Sequence, residues 1–212
     1  MKLKPLLATI AALVAIPTIT SNGVGAYGLL GYSWASPTVQ YYINPTNMDV
    51  ATSAIEPAIR AGASAWPQQS GASFLFTFAG YSTQTTNTND GVNLVMFRNA
   101  SSGSALATTY TWYSGTRMIE ADMVFWDLGF QFFTGSSGCS GGFYIEDIAT
   151  HEFGHALGLA HSTVTGATMY PSISTCSQQA RSLDADDIAG VLALYPSTAI
   201  APTAPSGLRI IR

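Results

Sequence analysis

The chain has 212 residues, enough for one domain with a substantial core, and carries 8 basic and 12 acidic side chains for a net charge of −4. This acidic balance argues against nucleic acid or an anionic membrane as a partner. Only 9% of the residues are charged, while Ser, Thr, Asn, Gln and Gly are abundant. We therefore expect a soluble protein with an uncharged polar surface.

The first 26 residues have the pattern of a secretory signal peptide. Lys2 and Lys4 precede an apolar run over 6–19 that is too short for a comfortable membrane span, and 24–26 has the small residues of a cleavage site. The alternative is an uncleaved anchor helix. We predict a secreted protein cut after Ala26. Loss of the two lysines leaves six arginines against 12 acidic residues, a net charge near −6.

The amino-terminal half alternates strand and helix patterns. Apolar side chains recur every three or four residues over 53–66 and predict a helix there. Ser53 and Glu56 have the spacing of a capping box at its start, and Pro67 marks its predicted end. Segments rich in β-formers predict strands over 38–43, 74–78, 92–97, 105–112 and 117–126.

The most informative stretch is 151–161, which reads H-E-x-x-H-x-x-G-x-x-H. On a helix, His151 and His155 lie one turn apart on the same face, where two imidazoles can hold one metal ion. Glu152 can reach a water on that metal without being a ligand. Gly158 can adopt the left-handed conformation that ends a helix, so that His161 turns back and supplies a third nitrogen. Three neutral imidazoles leave one tetrahedral position open, as in a catalytic zinc site.

The alternative, that these are ordinary helix histidines, is weak because the chain has only three histidines and all lie in this stretch. The helix that carries the first two is predicted over 143–157. Ala149, Phe153 and Ala156 mark its core face, and His151, Glu152 and His155 mark the face of the site.

Two cysteines, Cys139 and Cys176, flank the histidine stretch. An even count in a secreted chain predicts a disulfide bond, and two free thiols are the alternative. The bond would close a loop containing the whole motif. Loop-closure entropy puts its stabilisation at about 4 kcal/mol.

The motif resembles that of the metzincin proteases, in particular the matrixin branch. Ser162 after the third histidine, 169–171 as the family's Met-turn, 183–188 as the start of its C-terminal helix and 194–196 as its end carry the resemblance. The similarity implies an α+β fold: a twisted mixed sheet, two long helices, and a small C-terminal subdomain with a third helix. It implies a catalytic domain over 27–196, with 197–212 left as a tail rich in Pro, Ala and Thr.

The resemblance also implies roles for residues around the metal. Met169 would form an apolar floor beneath the zinc, and Asp187 would brace the Met-turn. The alternatives are a plain core methionine and a charge that stabilises a helix N-terminus. The amine of Tyr27, freed by signal cleavage, would pair with Asp186.

Substrate-binding roles follow from the resemblance in the same way. Leu106 and Ala107 would offer main-chain groups at the edge of the sheet, unless that edge merely faces solvent. Asp147 would line the pocket for the side chain after the cut, opposite Pro171. The alternative is that Asp147 sits in the first helical turn and faces water.

The chain departs from vertebrate matrixins, which carry a second, structural zinc held by further histidines. No spare histidine exists here, and Val124 stands about where one of those ligands would be. We therefore predict one zinc. Calcium remains possible because Glu120, Asp122 and Asp127 are close in sequence and offer hard oxygen donors, with solvated loop carboxylates as the alternative. Before 34 there is no cysteine that could hold the zinc in a latent form.

The sequence thus predicts a secreted, monomeric zinc endopeptidase that acts on extended polypeptides, with Glu152 as general base. Two other functions stay open at this point. One is a zinc hydrolase of a non-protein substrate; the other is a secreted binding or adhesion module on an inactive protease scaffold. Glu152 argues against the second, since a non-catalytic site needs no general base.

Overall fold

The computed structural model describes residues 26–197 of the chain. The predicted signal peptide and C-terminal tail lie almost entirely outside this range. Nine strands and three α-helices are present within it: β1 (Gly28–Leu29), β2 (Thr38–Asn44), α1 (Thr52–Ser70), β3 (Leu75–Tyr81), β4 (Leu94–Arg98), β5 (Ala107–Ser114), β6 (Arg117–Trp126), β7 (Phe132–Phe133), β8 (Phe143–Tyr144), α2 (Ile145–Leu157), β9 (Leu159–Ala160) and α3 (Ala185–Leu194).

A mixed five-stranded sheet with the order β3-β2-β4-β6-β5 forms the centre of the fold. Its strands are parallel except β5, which pairs antiparallel with β6 and lies at one edge. Two further pairs, β1–β9 and β7–β8, have two strands each. The mixed sheet and the three helices confirm the predicted α+β fold.

Helices α1 and α2 pack on one face of the sheet and bury the main core with it. Alternation along β6 decides which side chains face them: Ala121, Met123 and Phe125 join this core. Val124 and Trp126 point to the opposite face, where they pack in a second, smaller apolar cluster.

The two helices approach closely at Gly62. A Cβ on this residue would lie 2.7 Å from the Thr150 nitrogen and 2.8 Å from the Ala149 Cβ, which is closer than real contacts allow. Trp66 Nε1 donates to the Thr150 carbonyl at 2.9 Å across the same interface. Gly62, which lowers helix propensity, is therefore required by packing.

Helix α1 departs from the sequence prediction at both ends. Ala51 stands at its N-cap without a side-chain cap bond, so the predicted capping box is wrong. Glu56 instead binds Arg60 at 2.8 Å and the Tyr81 hydroxyl at 3.0 Å. Pro67 does not end the helix, which continues to Gly71 in the left-handed conformation, φ +69°.

Helix α2 begins two residues later than predicted because Phe143 and Tyr144 pair with β7. At its other end, two side chains satisfy carbonyls that lack a helical partner. Trp34 Nε1 donates to the Ala156 carbonyl and the Tyr195 hydroxyl to the Leu157 carbonyl, both at 2.7 Å. No helix in the described part of the chain is long and apolar enough to cross a membrane.

Candidate metal centre and active site

The turn after α2 brings the third histidine to the first two. Gly158 ends the helix with φ +107°, and a Cβ there would lie 2.5 Å from the Tyr32 carbonyl oxygen. Only glycine fits both the backbone conformation and the contact. The chain then passes through β9, and the ring centre of His161 lies 4.8 Å from that of His155 and 5.2 Å from that of His151.

The three imidazoles converge on one point. One ligand nitrogen from each lies within 4.8 Å of the others, and no other such group of three metal-binding side chains occurs within 26–197. The Nε2 atoms of His155 and His161 are 3.2 Å apart. Two nitrogens bound tetrahedrally to one zinc at about 2.0 Å stand about 3.3 Å apart, so the spacing of this pair fits zinc.

Backbone carbonyls fix the tautomers of two of these rings. His151 Nδ1 lies 2.7 Å from the Thr168 carbonyl, and His155 Nδ1 lies 2.9 Å from the Leu159 carbonyl. A carbonyl can only accept, so each Nδ1 carries the proton and each Nε2 keeps its lone pair for a metal.

The electrostatics favour neutral rings. Burial lowers the pKa of His155 well below its ordinary value, helped by the neighbouring histidines. Burial, with a smaller effect of His151, lowers the pKa of His161 to about 4. Near pH 7 both rings are therefore in the form that binds a metal.

Glu152 lies between this cluster and the sheet. Its side chain is 5% exposed, and the Thr109 hydroxyl donates to its Oε2 at 2.6 Å. Burial raises the pKa of Glu152, whereas His151 and the bond from Thr109 lower it. Sequence reasoning missed Thr109, because a threonine in a strand is an ordinary β-former and no local pattern shows which helix residue it faces.

The turn at 168–169 packs directly beneath α2. Met169 is 2% exposed, and a Cβ on Gly154 would collide with its sulfur and with the Trp66 ring. Asp187 accepts hydrogen bonds from the amides of Thr168 at 2.7 Å and Met169 at 3.0 Å. The carbonyl of Thr168 accepts a hydrogen bond from His151 Nδ1. By holding the Thr168 amide, Asp187 therefore helps to orient His151.

Asp187 also completes a capping box at the start of α3, where Asp184 is the N-cap. Asp187 is therefore more than a charge at a helix N-terminus, because its carboxylate accepts hydrogen bonds from three backbone N–H groups. Burial nevertheless raises the pKa of Asp187.

Asp147 lies in the first turn of α2, as the alternative interpretation expected, but it is 1% exposed and both of its oxygens are hydrogen-bonded within the protein. Its Oδ2 binds Arg181 Nε at 2.6 Å, and its Oδ1 accepts from the Ala180 amide at 3.2 Å. The part of that alternative in which the carboxylate faces water is therefore wrong. Arg181 further binds Glu146 at 3.0 Å and lies over the Tyr144 ring at 4.7 Å. This network holds the segment after the Met-turn against α2.

The predicted disulfide is confirmed: Cys139 and Cys176 are bonded, with their Cα atoms 5.5 Å apart. It joins the loop before α2 to the segment that also carries Pro171, whose side chain is exposed. The segment that carries Pro171 and Cys176 is thus held near α2 by the disulfide bond and by the Asp147–Arg181 ion pair.

The amino-terminal contact differs by one residue from the expectation. The backbone nitrogen of Ala26, and not that of Tyr27, lies 2.5 Å from Asp186 Oδ1. The other oxygen of Asp186 accepts from the Ser162 hydroxyl at 2.6 Å.

The edge strand β5 runs beside the site. The Leu106 carbonyl is already bonded to the Trp126 amide at 3.0 Å, so that carbonyl is unavailable to a substrate. Ala107 opposes Phe125 in the next pair. Bonded and non-bonded pairs alternate along an antiparallel ladder, so the main-chain groups of Ala107 face the open edge.

The three carboxylates considered for calcium are buried, not solvated. Glu120 accepts from the amides of Asp90 and Gly91, and Asp122 from those of Thr88 and Leu94. Asp127 accepts from the Met48 amide at 2.7 Å. Backbone N–H groups therefore occupy the oxygens of Glu120 and Asp122 that a calcium ion would need, whereas Asp127 Oδ1 is buried without a hydrogen-bond partner within 26–197.

Comparison with known proteins places this geometry in context. The sequence profile of the matrixin family matches residues 33–196. Karilysin of Tannerella forsythia is 29% identical over 183 residues, or 82% of this chain and 35% of karilysin. Human neutrophil collagenase is 51% identical over 61 residues, covering 28% of this chain and 13% of the collagenase. Mouse matrilysin is 55% identical over 47 residues, covering 22% and 18%. The chain thus spans at most about a third of these relatives.

Proposed function

The chain belongs to the matrixin family, and on that premise we propose that it is a secreted zinc endopeptidase with its catalytic domain over 27–196. The observation that carries this proposal is the convergence of three metal-competent imidazoles beside a buried glutamate. The names of a collagenase and of matrilysin among its relatives are consistent with a polypeptide substrate.

His151, His155 and His161 would hold the metal. Bound zinc supplies a water of lowered pKa and polarises the carbonyl of the scissile bond. Glu152, adjacent to one of these histidines in sequence, would accept a proton from the attacking water and pass it to the leaving amine.

The open main-chain groups at the start of strand β5, at Ala107, would hold the substrate. A sheet edge binds an extended peptide through its main chain, which needs no particular sequence. Ala107 offers groups on the open side, two residues before Thr109, which touches the general base. Peptide bound there would lie along the same strand that contacts Glu152.

Secretion is supported by the disulfide, since such bonds persist in oxidising compartments. Calcium is not part of this proposal, because backbone N–H groups occupy the oxygens of Glu120 and Asp122. Nor do we include Asp147 as a specificity residue, because its carboxylate forms an ion pair with Arg181.

The test is hydrolysis of casein and gelatin by the full chain, with and without a chelator. Cleavage that chelation abolishes and zinc restores supports the proposal. Zinc binding without cleavage would indicate a binding module, and hydrolysis of small esters alone would indicate a different substrate class.

A further inference from the structure

We infer that Thr109 is a positioning residue for Glu152: its hydroxyl anchors one carboxylate oxygen and thereby directs the other toward the metal centre. This inference rests on the proposed function of Glu152. The contact joins residues 43 positions apart, from the edge strand β5 to helix α2.

The geometry identifies the carboxylate as the acceptor. The Thr109 hydroxyl has one proton and two acceptors in reach, Glu152 Oε2 at 2.6 Å and the Glu152 main-chain oxygen at 3.1 Å. A length of 2.5–2.7 Å is typical of an O–H bond to an ionised oxygen, and such bonds are about twice as strong as neutral ones. The proton therefore points to Oε2.

An anchor of this kind matters because a glutamate side chain has three rotatable bonds and many orientations. No hydrogen bond from another residue within 26–197 reaches the Glu152 carboxylate. With Oε2 held by the sheet, the remaining oxygen keeps one orientation. Small misplacements of a reacting group can cost about 100-fold in rate.

The alternation of side chains along β5 explains why residue 109 is well placed to hold Glu152. Side chains alternate along β5, so the Thr108 hydroxyl points to the other face and accepts from Trp126 Nε1 at 2.9 Å. Thr109 and Thr111 share the face toward the helices, where the Thr111 hydroxyl meets that of Tyr32 at 2.7 Å. The general base is thus fixed to the strand along which substrate would bind.

The experiment compares three single variants of the full chain. Thr109→Val replaces the hydroxyl with a methyl group of similar size, and Thr109→Ser keeps the hydroxyl. Thr111→Val is the matched control, since it removes a hydroxyl from the same face of the same strand without touching Glu152. The substrate is a fluorogenic peptide based on a bond that the wild type cuts in casein.

Thr109→Val should lower kcat about 10- to 100-fold with KM within about twofold, because the loss affects the transition state and not substrate binding. Thr109→Ser should recover kcat to within about threefold, and Thr111→Val should stay within about twofold of wild type. Wild-type kcat in Thr109→Val, or equal losses in the Ser and Val variants, would overturn the inference. If Thr109→Val fails to fold, Thr109→Ala serves in its place.

A readout that does not depend on activity is the orientation of Glu152 in crystals of the zinc-loaded proteins. One ordered carboxylate in the wild type and Thr109→Ser, and several orientations in Thr109→Val, is the expected result. An unchanged Glu152 in Thr109→Val would refute the anchor. This arm still tests the inference if the wild type cuts no protein, an outcome that would instead refute the proposed function.

Discussion

Two groups of buried carboxylates both accept hydrogen bonds from backbone N–H groups, but they hold different parts of the structure. On the sheet face away from the helices, Glu120 and Asp122 accept backbone amides from 88–94 and fasten that loop to β6. At the start of α3, Asp187 accepts the amides of Thr168 and Met169, and the Thr168 carbonyl in turn orients His151. The first group ends in a loop, and the second ends at His151, one of the three histidines proposed to hold the metal.

The comparison shows that burial and hydrogen bonding alone do not mark a functional carboxylate. Glu120, Asp122 and Asp187 are each about 1% exposed, and burial raises the pKa of each. The groups differ in what they hold: Glu120 and Asp122 hold the loop at 88–94, and Asp187 holds the turn that orients His151. Variants at the outer face should therefore change stability alone, and variants near the histidines should change catalysis as well.

The largest effect should come from the site itself. Glu152→Gln removes the proton acceptor while keeping the side-chain volume, so kcat should fall at least about 100-fold with zinc retained. His155→Ala should lose both metal and activity. Elemental analysis should find one zinc per chain in the wild type and in Glu152→Gln.

Turnover above a few per cent of wild type in Glu152→Gln would contradict the assigned mechanism. A second stoichiometric zinc would contradict the one-metal prediction, which rests on the three-histidine total.

The next effect should be that of Asp187→Asn. Asparagine keeps one acceptor oxygen and turns an N–H group toward the amides of the Met-turn, so about 2 kcal/mol of unfolding free energy should be lost. Because the turn also orients His151, kcat should fall about 10-fold. Urea unfolding and steady-state kinetics measure the two effects. Loss of stability with wild-type kcat would show that the Met-turn brace is not coupled to the site.

Asp122→Asn is the matched change on the outer face and should leave kcat within about twofold. Burial raises the pKa of Asp122 to about 7 from 3.8 in a free side chain. The folded protein thus binds the extra proton between these values, and stability falls as pH rises from about 4 to 7. The decline attributable to this group is at most about 4 kcal/mol.

Asparagine does not titrate, so Asp122→Asn should lack this share of the decline. Urea unfolding of both proteins at pH 4.5, 6 and 8 gives the difference directly, and effects shared by the two proteins cancel. An unfolding free-energy difference that stays constant over this range would show that Asp122 is ionised throughout.

Short-range spacing explains what the sequence alone could predict. The histidines lie within 11 residues, and Gly158, which turns the chain back toward the first two, lies between the second and the third. This is a local geometry, fixed by one helix and one turn. The disulfide followed from a count of two cysteines in a chain expected to be secreted.

Contacts between distant segments could not be predicted in the same way. Arg181 lies 34 residues from Asp147, and Gly91 lies 29 residues from Glu120. Nothing local shows that these groups meet, so Asp147 looked free and the outer carboxylates looked available to calcium. The predicted end of α1 at Pro67 was wrong for a related reason. The buried Trp66 beside it packs α1 into the core, which offsets the low helix propensity of proline.

The smallest effect should come from the amino terminus. Ala26 N reaches Asp186 Oδ1 at 2.5 Å, and Asp186 also accepts a hydrogen bond from the hydroxyl of Ser162, the residue after His161. A free ammonium at Ala26 would make this bond charge-assisted, which cleavage after Gly25 rather than after Ala26 would achieve. Forms beginning at Ala26, at Tyr27 and two residues before Ala26 separate the cases. The first should be about two- to threefold more active than the others, because only its charge reaches Asp186. Equal activity of all three would show that this contact is purely structural, and a maximum at Tyr27 would restore the original expectation.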